Sequence, residues 1–263
     1  KYPDEVQEEW FTSLIQSARN TEWGKKYDYR SIETVEAFKE RVPIQNYESL
    51  KPYIEKMLAG EQNVLWPSEI RWFAKSSGTT SDRSKFIPVS EESLEECHFK
   101  GGKDMLAIYC HNRPDAKIFT GKSLVLGGSH QINQLSPDSF YGDLSAVIIK
   151  NLPMWVEMLR TPEMSIALMD NYEEKIEKMA RATINDNVTS IAGVPTWTIV
   201  LAKRVLEITG KSNLLEVWPN LELYIHGAVK FDPYLEQFRA LIPKEQMYYL
   251  ETYNASEGFF AIQ

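Results

Sequence analysis

Residues 75–88 read KSSGTTSDRSKFIP, and the rest of the chain is organised around this stretch. Apolar and aromatic residues flank it on both sides, and their pattern predicts two short strands, 71–75 and 86–89. The predicted turn between them carries hydroxyl residues, a glycine and a final lysine: Ser76, Ser77, Gly78, Thr79, Thr80, Ser81 and Lys85. Hydroxyls and backbone N–H groups on a tight turn, with a cation at its end, suit the oxygens of a phosphate chain. An ordinary solvated hairpin loop has a similar composition, so both interpretations stay open.

Composition limits the classes of function that the chain can serve. It has 263 residues, of which 43% are hydrophobic and 25% charged, with a formal net charge of −8. This charge argues against a nucleic-acid binder, which normally presents a basic face to the phosphate backbone. No apolar run approaches the roughly 20 residues of a membrane span. The two cysteines, Cys97 and Cys110, fall in one predicted helix and are read as free thiols, so we expect a reducing, cytoplasmic compartment.

Helix and strand patterns alternate along the chain and predict an α/β fold with mixed, largely parallel sheets flanked by helices. The helix patterns cover residues 4–19, 31–42, 47–59 with a break or kink near Pro52, 90–112, 143–151, 153–159, 171–187, 196–209 and 232–242. The further strand patterns cover residues 117–128, 188–194, 221–226, 247–252 and 258–262. In the first helix the predicted apolar stripe consists of Val6, Trp10, Leu14 and Ala18.

Gly101 and Gly102 interrupt the predicted helix 90–112. Each glycine costs a helix interior about 1 kcal/mol relative to alanine, so their presence needs a reason. Tight packing against a neighbouring element is one explanation, and space for a ligand is the other. The sequence does not choose between them.

Chemistry-bearing residues collect where predicted strands end, which is where ligands bind in open α/β sheets. Four such places are residues 75–85, 193–196, 226–228 and 252–258, the last reading TYNASEG. In that last segment Tyr253 can stack on a base, and Ser256 can bond a phosphate oxygen. A carboxylate beside a phosphate needs a cation between them, so Glu257 suggests Mg²⁺. A plain turn with a solvated glutamate is the alternative.

The motifs together resemble a known superfamily. SSGTT at 76–80 with Lys85, a glycine at 227 and YNASE at 253–257 have the order and rough spacing of adenylate-forming enzymes. That superfamily includes acyl-CoA synthetases and firefly luciferase. Residues 42–80 (VPIQNYESLKPYIEKMLAGEQNVLWPSEIRWFAKSSGTT) most resemble the auxin-responsive-type acyl-acid amido synthetases. The form YNASE, in place of the superfamily's usual Tyr-Gly-x-Thr-Glu, points the same way.

This resemblance implies a fold and a division into domains. Residues 1–263 are expected to be part of the large N-terminal, ATP- and acyl-acid-binding domain of an adenylate-forming enzyme, truncated before its C-terminal lid domain. The lid domain, the catalytic lysine and the ribose-binding aspartate would lie beyond Gln263.

The resemblance also implies roles for individual residues. Ser76, Ser77, Gly78, Thr79, Thr80 and Lys85 would hold the β- and γ-phosphates; His226, Gly227, Ala228, Thr252 and Tyr253 would surround the adenine; Ser256 would meet the α-phosphate; Glu257 would hold Mg²⁺. Candidates for the acid pocket are Gly101, Gly102, Met105, Val194, Pro195 and Trp197, for which core packing is an equal explanation. Two departures from the pattern are Asp82 in the loop and Ala228 where the family often has a second glycine.

The expected activity is ATP-dependent adenylation of a carboxylic acid, followed by transfer of the acyl group to an amino acid. An acyl-CoA ligase with coenzyme A as acceptor is one alternative, and a non-catalytic nucleotide-binding module is another. The spacing of His98, His111 and His130 suits no metal site, and they are read as ordinary core or surface residues.

Overall fold

The structure, a computed structural model, describes residues 2–76, 84–127 and 132–263. Most of the predicted phosphate loop, namely Ser77, Gly78, Thr79 and Thr80, lies outside the described residues, as does His130. The chain divides into two compact units, Lys1–Glu92 with Asn133–Tyr141, and Ser93–Ile132 with Gly142–Gln263.

The helices and strands are numbered in chain order. The α-helices are α1 (Pro3–Ala18), α2 (Glu22–Lys26), α3 (Val35–Arg41), α4 (Tyr47–Leu58), α5 (Glu91–Ser93), α6 (Lys100–Asn112), α7 (Leu144–Lys150), α8 (Met154–Met158), α9 (Met164–Ala167), α10 (Tyr172–Thr183), α11 (Pro195–Thr209) and α12 (Leu235–Leu241). The strands are β1 (Trp72–Ser76), β2 (Lys85–Val89), β3 (Lys122–Val125), β4 (Asn133–Ser136), β5 (Ser139–Gly142), β6 (Arg160–Thr161), β7 (Val188–Ala192), β8 (Leu223–Gly227), β9 (Tyr248–Ala255) and β10 (Gly258–Ile262). A π-helical segment, Leu94–Phe99, joins α5 to α6.

The first unit carries a sheet whose described strands lie in the order β2-β1-β5-β4. Strands β1 and β2 pair antiparallel, which confirms the two strands predicted on either side of the predicted phosphate loop. Sequence patterns missed β4 and β5. Residues 133–135 of β4 are exposed, so this strand has no buried face and leaves no hydrophobic alternation to read.

Helix α1 forms where it was predicted, but two members of the predicted apolar stripe, Trp10 and Leu14, do not belong to the buried side. Trp10 and Leu14 are 38% and 48% exposed, whereas Ile15 and Ala18 are buried. The buried side of α1 belongs to a cluster with Trp23. Two neighbouring stripes of this helix carry apolar residues, and only packing against other elements selects one of them.

Helix α4 starts at a capping box and continues past its internal proline. The Asn46 side chain accepts a hydrogen bond from the Ser49 N–H at 2.9 Å, and the Ser49 hydroxyl accepts one from the Asn46 N–H at 3.1 Å. The helix passes through Pro52 to Leu58, so the predicted break is not there.

The second unit is built on a sheet whose described strands lie in the order β10-β9-β8-β7-β3-β6. The pairs β3–β6, β3–β7, β7–β8 and β8–β9 are parallel, and only the β9–β10 pair of this described sheet is antiparallel. This confirms the predicted mixed, largely parallel α/β architecture. Because parallel strands end at the same edge, the ends of β3, β7 and β8 lie along one side of the sheet.

Helices α10 and α11 pack together beside this sheet and form its main core. Fully buried members of the core include Met179, Ile191, Val205, Trp218 and Tyr224. Helix α11 begins with a buried proline and ends before Gly210, whose φ of +68° gives a left-handed C-terminal cap.

Residues 91–112 are helical throughout, as predicted, but the π-helical segment within them was not foreseen. Cys97 and Cys110 are free thiols. Among the described helices, none combines the length and the apolar character that crossing a membrane requires.

Candidate functional site

One candidate region, in the first unit, is the end of the β1–β2 pair that is nearest to residues 77–83. Ser76, the last residue of β1, lies opposite Lys85, the first residue of β2. Both residues are half-buried. The hairpin therefore brings these two predicted phosphate ligands together, while the other predicted ligands of the loop lie outside the described residues.

Two lysines lie at this end of the hairpin. The Nζ of Lys85 is 5.6 Å from the ring centroid of Tyr47, and the Nζ of Lys75 is 5.7 Å from that of Tyr141. Within the described ranges neither ammonium group has a carboxylate partner. Sequence analysis selected Lys85 and missed Lys75, although Lys75 directly precedes the run of hydroxyls.

A separate candidate region, in the second unit, is the β9–β10 hairpin, which carries the YNASE motif. Strand β9 continues to Ala255, three residues beyond the predicted end at Thr252, because Gly258 and Phe259 pair with Ala255 and Asn254. Tyr253 thus lies inside the strand, and the turn consists of Ser256 and Glu257. The predicted start of the last strand at Gly258 is confirmed, whereas the predicted end of the preceding strand at Thr252 is wrong.

One face of this hairpin is fixed to the helical run before and within α6. His98 shares a hydrogen bond of 2.9 Å between its Nδ1 and the Oδ1 of Asn254. The N–H of Phe259 donates to the Sγ of Cys97 at 3.2 Å. A Cβ added at Gly101 would lie 2.6 Å from Cγ of Phe259, so the helix and the ring touch here.

The opposite face of the hairpin presents aromatic rings to solvent. Tyr253 and Phe260 are 60% and 58% exposed, and their ring centroids are 5.1 Å apart. Side chains alternate between the two faces of a strand, so anchoring Asn254 on one face directs Tyr253 to the other. An exposed aromatic pair of this kind can stack on a planar base.

Glu257 supplies a single carboxylate for the expected magnesium site. Its side chain is exposed in the hairpin turn, and in the described part of the chain it has no ion-pair partner. Those same residues contain no group of three or more His, Cys, Asp or Glu side chains able to hold a metal ion. A single carboxylate suits Mg²⁺ that is held mainly by phosphate oxygens and water.

The predicted adenine border at residues 226–228 starts inside β8 rather than in a turn. The His226 side chain is 3% exposed and stacks on Phe231 with 4.0 Å between ring centroids. Burial lowers its pKa. Among the described residues its Nδ1 has no hydrogen-bond partner. The imidazole therefore belongs to an aromatic cluster, whereas Ala228 at the end of the segment is exposed.

Close packing against strand β9 explains why residue 227 is a glycine. A Cβ at Gly227 would lie 2.4 Å from the carbonyl oxygen of Thr252 on the adjacent strand β9. The hydroxyl of Thr252 donates to the carbonyl of His226 at 3.3 Å, which ties the two strands together. Ala228 adopts a left-handed φ of +69°, a conformation in which glycine avoids steric strain.

The chain matches a known protein family. The profile of the GH3 family N-terminal domain matches residues 1–247. The chain belongs to the GH3 family. It is 35% identical over 94 residues to indole-3-acetic acid-amido synthetase GH3.2 of Arabidopsis thaliana, covering 35% of this chain and 17% of that protein. It is 23% identical over a 316-residue alignment to indole-3-acetic acid-amido synthetase GH3.4 of Arabidopsis thaliana, covering 99% of this chain and 52% of that protein.

A solved structure supports the same fold. The structure described as AtGH3.15 acyl acid amido synthetase in complex with 2,4-DB superposes with a TM-score of 0.79 at 15% identity, covering 98% of this chain and 54% of that one. The GH3 chain thus spans about half the length of GH3.4 and of this solved structure. These matches confirm the resemblance to the auxin-responsive-type acyl-acid amido synthetases inferred from the motifs.

The predicted acid-pocket residues of this GH3 chain are largely accounted for by packing. Met105 is 7% exposed, and Pro195 is the buried first residue of α11. Trp197 packs on the core, with 6.4 Å between its ring centroid and that of Tyr172. Val194 precedes Pro195 and is half-buried. The acid-binding role of these residues stays a prediction.

The two helix glycines differ from each other. Gly101 lies against Phe259, whereas a Cβ at Gly102 would meet nothing within 4 Å. Tight packing thus explains Gly101, and it does not explain Gly102.

A buried lysine near the end of β3 was also missed by sequence analysis. Lys175 is 2% exposed, and its Nζ donates to the carbonyl of Gly127 at 3.3 Å. Burial lowers the pKa of Lys175, while the charges of Asp143 and Asp170 oppose that shift. A lysine one turn before Met179, on the apolar side of α10, was the signal in the sequence.

Proposed function

We propose that the protein carrying this GH3 chain is an acyl-acid amido synthetase. In the first step a carboxylate oxygen attacks the α-phosphorus of ATP, and the bond to pyrophosphate breaks. In the second step an amino acid's amine attacks the acyl carbon, AMP leaves with the carbon–oxygen bonding pair, and the amine loses a proton. The names of the amido synthetase relatives support this reaction class.

The observation that carries the proposal is the arrangement of the β9–β10 hairpin. Its anchored face leaves Tyr253 on an exposed aromatic surface, with Ser256 and Glu257 in the adjoining turn. A planar base, a phosphate and a cation are the ligands that these three side chains suit. Nucleoside triphosphates present all three of them within one molecule.

The proposed roles follow the chemistry of each group. Residues 76–80 and Lys85 would bind the β- and γ-phosphates, with Lys75 adding a second charge. Tyr253 would stack on the adenine, and Ser256 would bond the α-phosphate. Mg²⁺, when bound beside Glu257, would neutralise charge on the phosphate oxygens. The protein's contribution to the first step is alignment and charge compensation, which requires no protein nucleophile.

We further propose that residues 1–263 supply the ATP- and acid-binding half of the active site, and that a mobile domain with a catalytic lysine completes it. The match to about half the length of GH3.4 supports this division. Closing and opening of such a lid would separate the two steps. The proposed partners are a small carboxylic acid and an amino acid, in a cytoplasmic setting.

The test is ATP–pyrophosphate exchange by the protein carrying this chain, across a panel of carboxylic acids. Acid-dependent exchange is expected, followed by an amide product when amino acids are added. ATP binding without exchange for any acid would instead indicate a nucleotide-binding module. A thioester formed with coenzyme A, and no amide, would indicate an acyl-CoA ligase.

A matched pair of variants tests the magnesium role. Glu257→Gln removes the carboxylate of the hairpin turn, and Glu245→Gln removes another exposed carboxylate from the same unit. Loss of a residue that only supports a metal ligand typically lowers metal affinity about 10- to 100-fold, so Glu257→Gln should require at least about 10-fold more Mg²⁺ for half-maximal exchange. Glu245→Gln should match the unchanged protein. Equal magnesium dependence in both variants would remove Glu257 from the site.

A further inference from the structure

Asn254 has no counterpart in the superfamily pattern, which places glycine directly after the tyrosine of this motif. A side chain at this position needs a partner or free space, and the structure shows a partner. The Oδ1 of Asn254 lies 2.9 Å from the Nδ1 of His98, although the two residues are 156 positions apart in sequence. The YNASE form of the motif is thus matched by a histidine on a distant helix.

His98 is well placed to hold Asn254. Its side chain is 5% exposed and belongs to the π-helical segment Leu94–Phe99. Such segments are rare and often occur at functional sites, because the wider turn changes the direction of the side chains it carries. Because the imidazole of His98 is buried, it has few accessible orientations. This restricts the geometry of its hydrogen bond to Asn254.

Two further contacts join the same helical run to the residue opposite Asn254. Phe259 is the cross-strand partner of Asn254, its N–H donates to Cys97 Sγ, and its ring covers Gly101. Both strands of the hairpin are therefore held on one face. Strand alternation then directs Tyr253 to the free face, where 60% of its surface is exposed.

We infer that His98 is a positioning residue, which fixes Asn254 and thereby sets the position of Tyr253 and of the Ser256–Glu257 turn for ATP. This inference rests on the proposed function, because it assigns His98 a part in the binding of that substrate. His98 does not touch the nucleotide in this arrangement. It acts through the hydrogen bond to Asn254 alone.

The experiment measures KM for ATP, KM for the acid and kcat of pyrophosphate exchange in three variants of the protein carrying this chain. His98→Leu removes the hydrogen bond. His98→Asn keeps it, because an asparagine amide occupies the place of Nδ1 and can donate or accept. His111→Leu is the matched control, an exposed histidine in the last turn of α6.

The expected result is a change in KM for ATP and not in KM for the acid. A lost hydrogen bond to a buried group typically weakens an interaction about three- to tenfold, so His98→Leu should raise KM for ATP by about that factor. KM for the acid should stay within about twofold of the unchanged protein, since no acid contact is altered. His98→Asn should restore most of the ATP affinity, and His111→Leu should behave as the unchanged protein.

A merely structural role gives a different pattern. Loss of folded protein lowers kcat per total protein and leaves both KM values unchanged, and this outcome in His98→Leu would overturn the inference. Failure of His98→Asn to recover ATP affinity, while remaining folded by circular dichroism, would also overturn it.

If His98→Leu does not fold, Asn254→Ala tests the same hydrogen bond by removing its other partner. Asn254 is exposed, so its truncation leaves the core intact. It should raise KM for ATP by the same factor as His98→Leu, and an unchanged KM would refute the inference. If the unchanged protein shows no exchange with any acid, the proposed function fails. If it exchanges and Asn254→Ala exchanges with the same KM for ATP, only the role of His98 fails.

Discussion

The two adjacent glycines of α6 should respond oppositely to alanine. Replacing either glycine in the helix interior adds about 1 kcal/mol of helix propensity. At Gly102 nothing lies within 4 Å of the new Cβ, so Gly102→Ala should raise the free energy of unfolding by this full amount. At Gly101 the new Cβ would lie 2.6 Å from Cγ and 2.8 Å from Cδ1 of Phe259.

Carbon atoms pack at about 3.5–4.0 Å, so Phe259 must retreat by about 1 Å to admit the methyl group. Its Cγ is close to the backbone of β10, and rotation of the ring plane leaves Cγ in place. Overpacking of this kind costs about 1–3 kcal/mol, which should make Gly101→Ala less stable than Gly102→Ala by that amount. At about 2–4 °C per kcal/mol, the difference in Tm should be about 2–12 °C.

Thermal denaturation followed by circular dichroism measures this difference directly. Repeating both substitutions in a Phe259→Ala background removes the ring, and the gap in Tm between Gly101→Ala and Gly102→Ala should then close. Equal Tm values in the original background, or a gap that persists without the ring, would refute the packing explanation of Gly101.

Three further predictions concern the strands and the candidate site. Burial lowers the pKa of His98 and His226 from 6.5 in the folded protein. Below about pH 6.5 the unfolded chain therefore binds more protons at these two residues than the folded chain does. The free energy of unfolding should therefore fall between pH 7 and pH 5, by up to about 1.4 kcal/mol per pH unit for each histidine, and His226→Phe should flatten this slope in urea titrations; an unchanged slope would contradict this. Gly227→Ala places a Cβ 2.4 Å from a backbone oxygen of β9 and should lower the unfolding free energy by about 1–3 kcal/mol, whereas a native-like urea midpoint would contradict the close approach. Tyr253→Ala should weaken ATP binding at least about fivefold by calorimetry with little change in Tm, because base stacking contributes about 1–3 kcal/mol and the ring is largely exposed; unchanged affinity would argue against stacking.

Several features of this protein were determined by local sequence alone. The β1–β2 hairpin, the helical run of residues 91–112 and the parallel order of buried strands follow from hydrophobic periodicity, turn residues and caps. The residues in SSGTT and YNASE indicated the superfamily, because a site's chemistry requires particular residue types at nearly fixed spacing, and the run of residues 42–80 with the YNASE form indicated the family. These signals lie within short segments and need no knowledge of distant neighbours.

Tertiary structure decided the features that depend on contacts between distant segments. It selected the Ile15 side of α1 over the Trp10 side, and it paired the polar strand β4 with β5. It placed His226 in an aromatic cluster, and it joined His98 to Asn254 across 156 residues. Burial, cross-strand register and long-range hydrogen bonds depend on which segments meet in space. Because contacts between distant segments depend on the whole fold, no local sequence pattern reveals them.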